Sequence, residues 1–325
     1  MNSSCARYYK LSEYYRRMSG GKKVHKVTVD AGFSCPNRDG TLSSDGCSYC
    51  DNRGFSVNTR LSVRPVEAQI KEGIERLKKR FGAEKFVVYF QAYSNTYAPV
   101  KILRKCYDTV KNFKDVIGIS VATRPDCVND EIMRLLASYA ETYEVWIEYG
   151  LQSIHNRTLE RINRGHTYED FLKALYVTRK YASLKTCVHV IIGLPGETKE
   201  MILKTAKALA GLKLEGVKVH PLHAIKQTAL EKEFLKGAYK PLELDEYVDL
   251  VCVFLEYLWP ETVIHRLGAD CPEEFLVAPM WILDKNRLLR EIEKRLCERG
   301  SCQGKLYTAE GPEATLSHAL RVDHA

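Results

Sequence analysis

The sequence predicts an α/β fold, an open partial (βα)6 barrel followed by a small mixed α/β extension. Short apolar runs bounded by turn residues alternate with longer amphipathic stretches, which is the pattern of parallel βα units. Polar or glycine residues follow these apolar runs, and the alternation stops after residue 223. The chain therefore divides into a basic, tyrosine-rich segment at 1–23, a barrel at 24–223 and an extension at 224–325.

The elements of the barrel follow in chain order from hydrophobic periodicity. Helix 65–80 has Val66, Ile70, Ile74 and Leu77 on one face, and Asn129 precedes a later helix as its expected cap. The predicted strands are 24–29, 86–90, 116–121, 145–151, 188–192 and 217–222. The predicted helices between them are 65–80, 100–113, 129–138, 168–182 and 199–212. In the extension, helices 244–258 and 281–299 flank a short strand at 263–267, and a frayed tail begins near residue 304.

The composition is typical of a globular protein and excludes several other classes. Hydrophobic residues make up 45% and charged residues 28% of the chain. No run reaches the roughly 18 apolar residues of a membrane span, and the N-terminus lacks the apolar core of a signal peptide. Eleven cysteines without such a signal favour a reducing compartment. We therefore expect a cytoplasmic protein without a membrane partner.

Positive charge is concentrated near the N-terminus. Lys and Arg number 49 against 41 Asp and Glu, which gives a formal net charge of +8. Between residues 5 and 26, Glu13 is the one acidic residue, and Tyr8, Tyr9, Tyr14 and Tyr15 are interleaved with basic residues. The composition fits two interpretations: a nucleic-acid contact, or a solvated helix whose tyrosines face the core. The basic residues are Arg7, Lys10, Arg16, Arg17, Lys22, Lys23 and Lys26.

A loop after the first predicted strand contains three cysteines. Eleven residues separate Cys35 from Cys47, and two separate Cys47 from Cys50. Three thiolates on a four-iron cluster leave one iron open for a small molecule, because such a cluster takes four ligands. The alternative is a structural zinc ion with a distant fourth ligand, either His25 or Cys302.

Polar motifs follow the other predicted strands at the edge where parallel α/β folds bind ligands. Five such motifs in register indicate a binding site rather than ordinary turns. They are Gln-Ala-Tyr-Ser-Asn-Thr-Tyr at 91–97, Ser-Val-Ala-Thr-Arg-Pro-Asp at 120–126, Ile-Glu-Tyr-Gly-Leu-Gln-Ser at 147–153, Gly-Leu-Pro-Gly-Glu-Thr at 193–198 and Lys-Val-His-Pro-Leu-His at 218–223.

These motifs resemble those of the YhcC/YtqA group of radical SAM proteins, which are relatives of the radical SAM domain of the Elongator catalytic subunit. The resemblance covers about residues 20–300. It implies a TIM-like radical SAM barrel whose cofactors are a [4Fe–4S] cluster and S-adenosylmethionine (SAM). The segments that carry it are the cysteine loop, 91–99, 122–126, 148–153, 164–166 and 193–198.

The resemblance also implies roles for individual residues. Cys35, Cys47 and Cys50 would ligate the cluster. A Gly-Gly-Glu segment usual in the superfamily is replaced here by residues after the second strand. The implied SAM contacts are Tyr49 at the adenine, Gln91, Ser94 and Asn95 at the amino group, Ser120, Thr123 and Arg124 near the carboxylate, Glu148 and Gln152 at the ribose, and Ile192 and Gly193 beneath the adenine.

In such enzymes, one electron from the cluster cleaves SAM to methionine and a 5′-deoxyadenosyl radical, which abstracts hydrogen from the substrate. The group is associated with tRNA wobble-uridine modification, in which a carboxymethylaminomethyl side chain becomes aminomethyl and then methylaminomethyl. The expected partners are tRNA, a reducing protein such as flavodoxin or ferredoxin, and a tRNA methyltransferase of the same pathway. Candidate catalytic residues on the substrate side are Lys218, His220, His223 and His265.

Two other functions fit the sequence. The chain could be a nucleic-acid-binding protein whose metal site is structural, or a radical SAM enzyme that acts on a protein or small molecule. Formation of 5′-deoxyadenosine by the anaerobically reconstituted protein separates the first of these from an enzyme. A structural role also remains open for each histidine.

Overall fold

Seven parallel strands form one curved sheet in the order β1-β2-β3-β4-β5-β6-β8, and β7 pairs with β9 in a small antiparallel sheet. The computed structural model describes residues 6–56, 58–60 and 64–308. The large sheet curls into an open half-barrel, as the sequence predicts. The strands are β1 (Val24–Val29), β2 (Lys85–Phe90), β3 (Val116–Thr123), β4 (Glu144–Gln152), β5 (Leu184–Ile192), β6 (Gly216–Pro221), β7 (Ala224–Ile225), β8 (Val263–Arg266) and β9 (Leu276–Ala278).

Helices connect the strands and bury the main hydrophobic core against the sheet. All the predicted helices of the barrel are present, although helix 100–113 ends as a 3₁₀ turn. The α-helices are α1 (Leu11–Met18), α2 (Asn52–Phe55), α3 (Val66–Phe81), α4 (Val100–Asp108), α5 (Asp130–Tyr139), α6 (Asn156–Arg161), α7 (Tyr168–Arg179), α8 (Lys199–Gly211), α9 (Ala229–Leu235), α10 (Leu244–Tyr257) and α11 (Lys285–Glu298).

Local sequence signals explain where several helices begin and how closely they pack. The Asn129 side chain accepts a hydrogen bond of 2.9 Å from the Ile132 amide, which caps α5 as expected. On α3, Ile70 and Ile74 are buried against the sheet. A Cβ at Gly73 would lie 2.4 Å from a methyl carbon of Val27, so glycine permits the close approach of α3 to β1.

The structure adds a seventh strand to the six predicted for the barrel. Strand β8 pairs in parallel with β6, with Val217 opposite Ile264. The sequence places this strand in the extension because β7, α9 and α10 intervene and break the simple βα alternation. As a result, residues around Arg266 become part of the barrel wall.

The N-terminal segment spans the edges of the sheet at β1 and β8. The Ile264 amide donates a 2.7 Å hydrogen bond to the Tyr9 carbonyl, and the Tyr14 ring lies edge-on to Trp146 at 5.7 Å. Tyr15 is buried, whereas Arg16 is exposed. The tyrosines therefore attach the segment to the amino end of the barrel while several cations remain in solvent.

Helix α11 packs on α10 at the outside of the barrel. The described chain ends at residue 308, so nearly all of the predicted frayed tail lies outside the described residues. Across the described ranges, no helix combines the length and the apolar character needed to cross a lipid bilayer.

Candidate active site

A cavity opens at the carboxyl ends of the parallel strands. Together with the open space at its mouth, it measures about 1290 Å³. The cysteine loop and the ends of β2 to β6 line it, together with residues after β8. It therefore joins the cysteine loop to the strand ends that carry the other predicted site residues.

All three predicted cluster cysteines line this cavity. Arg164 lies beside them, with Nη1 at 3.4 Å from the Cys47 sulfur and Nη2 donating to the Gly150 carbonyl at 2.6 Å. Burial and the neighbouring Cys47 raise the pKa of the Cys50 thiol to about 12. Arg38 and Arg164 oppose this shift, and a cationic metal centre bound by the sulfurs would hold them as thiolates.

The spacing of the thiols disfavours a single zinc ion. Four zinc ligands at about 2.3 Å in a tetrahedron lie roughly 3.8 Å from one another. Over the described part of the chain, the one group of three ligand atoms within 4.8 Å is that of Glu148, Cys187 and His265. His25, proposed above as a fourth zinc ligand, instead stacks on Phe81, and Cys302 is exposed.

Most of the predicted SAM contacts also line the cavity. The Ser94 side-chain oxygen is buried and has no hydrogen-bond partner within the described residues. Gln91 donates to the Phe55 carbonyl at 3.0 Å, and Gln152 has a positive φ of 76° that marks the end of β4. The seven candidates on the cavity wall are Tyr49, Gln91, Ser94, Thr123, Arg124, Glu148 and Gln152.

Two of these cavity residues already have strong partners. Arg124 is buried and forms a two-point ion pair with Asp126, with distances of 2.8 and 2.7 Å. Its third nitrogen donates to the Arg164 carbonyl at 2.8 Å. Thr123 shares a 2.6 Å hydrogen bond with Thr96. Arg124 therefore connects the β3 end to the loop that carries Arg164.

Four other SAM candidates lie outside the cavity lining. Asn95 donates to the Ala92 and Ala122 carbonyls, both at 3.0 Å, and Ser120 donates to Glu148. The Ile192 carbonyl accepts from the Leu222 amide at 2.9 Å. Gly193 adopts φ +96° in the turn after β5. These four residues do not face the cavity, and they support the strand ends and loops that do.

Glu148 occupies the centre of the barrel interior, where its side chain is fully buried. It accepts hydrogen bonds from Lys26 at 2.5 Å, from Lys218 and from His189 at 2.8 Å. Burial alone would raise its pKa, but Lys218 and Lys26 outweigh burial and hold the pKa well below its usual range. Lys26, which the sequence groups with the exposed N-terminal cations, instead points into the barrel.

Three of the four candidate catalytic residues reach the cavity: Lys218, His220 and His223. Burial lowers the pKa of Lys218 to about 8, although Glu148 opposes that shift. His223 bonds the Pro221 carbonyl through Nδ1 at 3.0 Å, while its buried Nε2 has no partner in the described chain. His265 lies outside the cavity lining, with its ring 4.5 Å from that of Trp146.

Sequence reasoning missed several residues of the cavity wall. Tyr89, His189 and Arg266 point inward from β2, β5 and β8, and Arg164 adjoins the thiols. The alternation of inward and outward side chains along β2 and β5 could have found Tyr89 and His189. Arg266 required knowledge of the seventh strand.

Fold and site together define a class of enzyme. A model of the Radical SAM superfamily matches residues 35–209, and a model of the Radical_SAM C-terminal domain matches residues 214–298. The chain belongs to the radical SAM superfamily, whose members are enzymes that use a [4Fe–4S] cluster and SAM.

Individual relatives place the chain within that superfamily. It is 40% identical to YtqA of Bacillus subtilis over 310 residues, which is 95% of this chain and 96% of YtqA. It is 36% identical to YhcC of Escherichia coli over 281 residues, which is 86% of this chain and 89% of YhcC. The predicted relation to the YhcC/YtqA group is therefore confirmed.

More distant similarity reaches tRNA uridine(34) acetyltransferase and Elp3. The acetyltransferase of Methanocaldococcus jannaschii is 32% identical over 166 residues, which is 50% of this chain and 30% of that protein. The structure of Elp3 from Methanocaldococcus infernus superposes with a TM-score of 0.66 at 20% identity and covers 86% of this chain and 64% of that chain. The second comparison establishes a shared fold.

Proposed function

We propose that this radical SAM enzyme modifies the wobble uridine of tRNA by removing the carboxymethyl arm from a carboxymethylaminomethyl group, which leaves aminomethyluridine. The observation that carries the proposal is the single cavity that joins three free thiols to a deep, charged floor. A flipped-out nucleoside is the part of a tRNA that would enter such a cavity.

Within this proposal, Cys35, Cys47 and Cys50 ligate the cluster. When bound, cluster and SAM would supply a 5′-deoxyadenosyl radical that takes a hydrogen atom from the arm. Return of one further electron to the oxidised cluster would leave the arm's amine as an imine, and water would hydrolyse it to aminomethyluridine and glyoxylate, so that the carbon–nitrogen bond to the arm is the bond that breaks. The unpartnered oxygen of Ser94 and the side chain of Gln152 are the best placed polar groups for SAM, because both line the cavity.

The remaining residues of the site hold the reactants and exclude water. Arg164 keeps a positive charge beside the thiols. Tyr49, Ile191 and Leu222 belong to one buried apolar cluster with Cys47. This apolar lining limits the access of water to a reactive centre.

The tRNA substrate is supported by kinship and by charge. The relative named tRNA uridine(34) acetyltransferase shares half of this chain. Arg16, Lys22 and Lys23 are exposed, and no carboxylate pairs with their side chains within the described residues. We further propose that flavodoxin or ferredoxin supplies the electron, that a tRNA methyltransferase acts next, and that the enzyme works in the cytoplasm.

The proposal is tested with anaerobically reconstituted protein, SAM, a reductant and tRNA that carries the carboxymethylaminomethyl group. We expect nucleoside mass spectrometry to show conversion of this group to aminomethyluridine, and we expect C47A to abolish it. C106A is the matched control, because Cys106 lies on α4 away from the cavity. Unchanged tRNA from the active wild-type protein would refute the proposed step.

A further inference from the structure

Three adjacent strands, β5, β6 and β8, each place one side chain at the same register position on the cavity wall. We call this part of the wall, together with Glu148 and Lys26, the floor of the cavity. Lys218 on β6 is opposite His189 on β5 and opposite Arg266 on β8 in the strand register. All three line the cavity. Lys218 also donates a 3.0 Å hydrogen bond to the Tyr89 hydroxyl. Two cationic side chains, Lys218 and Arg266, therefore stand side by side on the cavity wall.

This floor carries more positive than negative charge. Lys26, Lys218 and Arg266 are opposed by two carboxylates, Glu148 and Asp270. Asp270 also pairs with Lys285 at 3.2 Å, so its charge is shared between two cations. The neighbouring histidines add no negative charge, and burial lowers the pKa of His189 to about 4.

The cations retain unused hydrogen-bond donors. An ammonium has three N–H groups and a guanidinium five. Lys218 contacts Glu148 and Tyr89, and the nearest carboxylate to Arg266 among the described residues is Asp270 at 3.0 Å. Positive charge with free donors, on a buried lysine and a partly exposed arginine, is complementary to an anion.

We propose that Lys218 and Arg266 bind a carboxylate of the substrate at the floor of the cavity. This inference rests on the proposed function, in which the carboxymethyl arm of the modified uridine supplies that carboxylate. Glu148 is then a positioning residue: its oxygens hold the Lys218 and Lys26 ammonium groups in place and do not contact the substrate.

The carboxylate of SAM is the competing occupant. Ser120, Thr123 and Arg124 on β3 are the residues predicted for that group. Thr123 and Arg124 lie at the end of β3, whereas Ser120 donates to Glu148, which also accepts from Lys218. If the floor binds the SAM carboxylate, substitutions at Lys218 and Arg266 should weaken SAM binding. If it binds the substrate carboxylate, the same substitutions should leave SAM affinity unchanged.

The test compares two anticodon stem-loop RNAs that differ only at the wobble arm, one with the free carboxylate and one with its methyl ester. Phosphate contacts are identical in the pair and cancel in the ratio of affinities. Binding is measured anaerobically by calorimetry with the reconstituted, SAM-loaded protein. The variants are Lys218→Met, Arg266→Met and Lys218→Arg. Lys185→Met is the matched control, because it removes a strand lysine that pairs with Glu144 outside the cavity.

We expect wild type and Lys185→Met to prefer the acid by roughly tenfold or more, as a charged hydrogen bond provides. Lys218→Met and Arg266→Met should lose the preference, and Lys218→Arg should keep most of it. SAM affinity should stay within about threefold in all variants. Should Lys218→Met fail to fold, Arg266→Met and Lys218→Arg still decide the question.

Three results would overturn the inference: wild type binds neither RNA or both equally, the preference survives in both methionine variants, or these variants lose SAM affinity as strongly as RNA preference. The last result would assign the floor to the cofactor. A wild-type preference for the acid without conversion of the arm would refute the proposed function and leave the carboxylate site standing.

Discussion

The two sides of the cavity differ in how far their buried polar groups are satisfied. On the cysteine side, the buried Ser94 oxygen and His223 Nε2 have no partner within the described residues. On the floor, Glu148 accepts hydrogen bonds from two lysines, a histidine and a serine, although Nε2 of the neighbouring His265 has no partner within the described residues. Because an unsatisfied buried polar atom is costly, Ser94 and His223 are available to a ligand, whereas Glu148 is fully engaged within the protein and holds the cations of the floor in place. Substitutions on the two sides should therefore have different consequences.

The largest expected effect is on the cysteine side. Replacing any one of Cys35, Cys47 or Cys50 by alanine should abolish the broad absorbance near ~400 nm of the reconstituted protein, because each thiolate ligates iron. Iron content and 5′-deoxyadenosine formation should fall together. Alanine at Cys106 or Cys252 should leave all three readouts intact. Stoichiometric zinc without iron in the native protein would contradict the cluster assignment.

On the floor, Glu148→Gln should destabilise the fold by about 3–5 kcal/mol, because two lysines lose their buried counter-charge. Urea unfolding measures this, and Glu233→Gln, which loses a partly exposed pair with Arg161, should cost at most about 1 kcal/mol. The pKa of Glu148 is held below its usual range. Its contribution is therefore present above its unfolded-state pKa and is lost as pH falls through the folded-state value. Equal losses in both variants would contradict this account.

In contrast to Glu148→Gln, Ser94→Ala should lower SAM affinity and leave the stability of the fold nearly unchanged. The serine oxygen forms no hydrogen bond of standard geometry within the described residues, and its polar neighbour is the Cys127 thiol, which bonds weakly, so stability should stay within about 1 kcal/mol of wild type. SAM affinity should fall by roughly 5- to 150-fold if this oxygen bonds SAM, and Gln152→Ala should act in the same way. Ser138→Ala on α5 is the control for both measurements. Normal SAM binding by both site variants would show that the amino-group and ribose assignments are wrong.

A smaller effect is expected from pH on the affinity of the floor for a substrate carboxylate. The pKa of Lys218 is lowered to about 8, mainly by burial. Binding of a substrate carboxylate should therefore weaken up to about tenfold as pH rises from 7 to 9, because the ammonium loses its proton. Lys218→Arg should remove this dependence, and a pH-independent wild-type affinity would contradict it. The charged and titratable groups that face Lys218 are Lys26, Tyr89, Glu148, Cys187, His189, His220, His265 and Arg266.

The smallest effect should come from the N-terminal segment at the amino end of the barrel. Reversing Arg16, Lys22 and Lys23 to glutamate should weaken binding to all tRNAs alike and lower the salt slope by about one unit per lost phosphate contact. Truncating Tyr15, which is buried, should instead lower stability. An unchanged salt slope after charge reversal would assign this segment to packing alone.

Much of the framework could be predicted from the sequence. The strands of the barrel follow from apolar runs, and the helix cap at Asn129 follows from its side-chain chemistry. The convergence of the cysteine loop and the strand ends in one cavity follows from the parallel topology. These features depend on local patterns or on a general rule of the fold.

The barrel interior could not be predicted in this way. Lys26 lies in a short strand next to exposed cations, and nothing local indicates that it meets Glu148 more than a hundred residues later. The same limit applies to Arg266, whose place beside Lys218 depends on the pairing of β8 with β6. Long-range strand register decides these contacts, and a single sequence carries no direct record of it.

The central claim is that one cavity couples the cluster and SAM to a carboxymethyl arm. Its most direct test is to measure 5′-deoxyadenosine formed by the reduced, reconstituted protein with tRNA that carries the carboxymethylaminomethyl group and with the same tRNA lacking the arm. We predict that the product rises with the first tRNA, in step with aminomethyluridine, and stays at the uncoupled background with the second. Equal 5′-deoxyadenosine with both tRNAs, or none with either, would contradict the account.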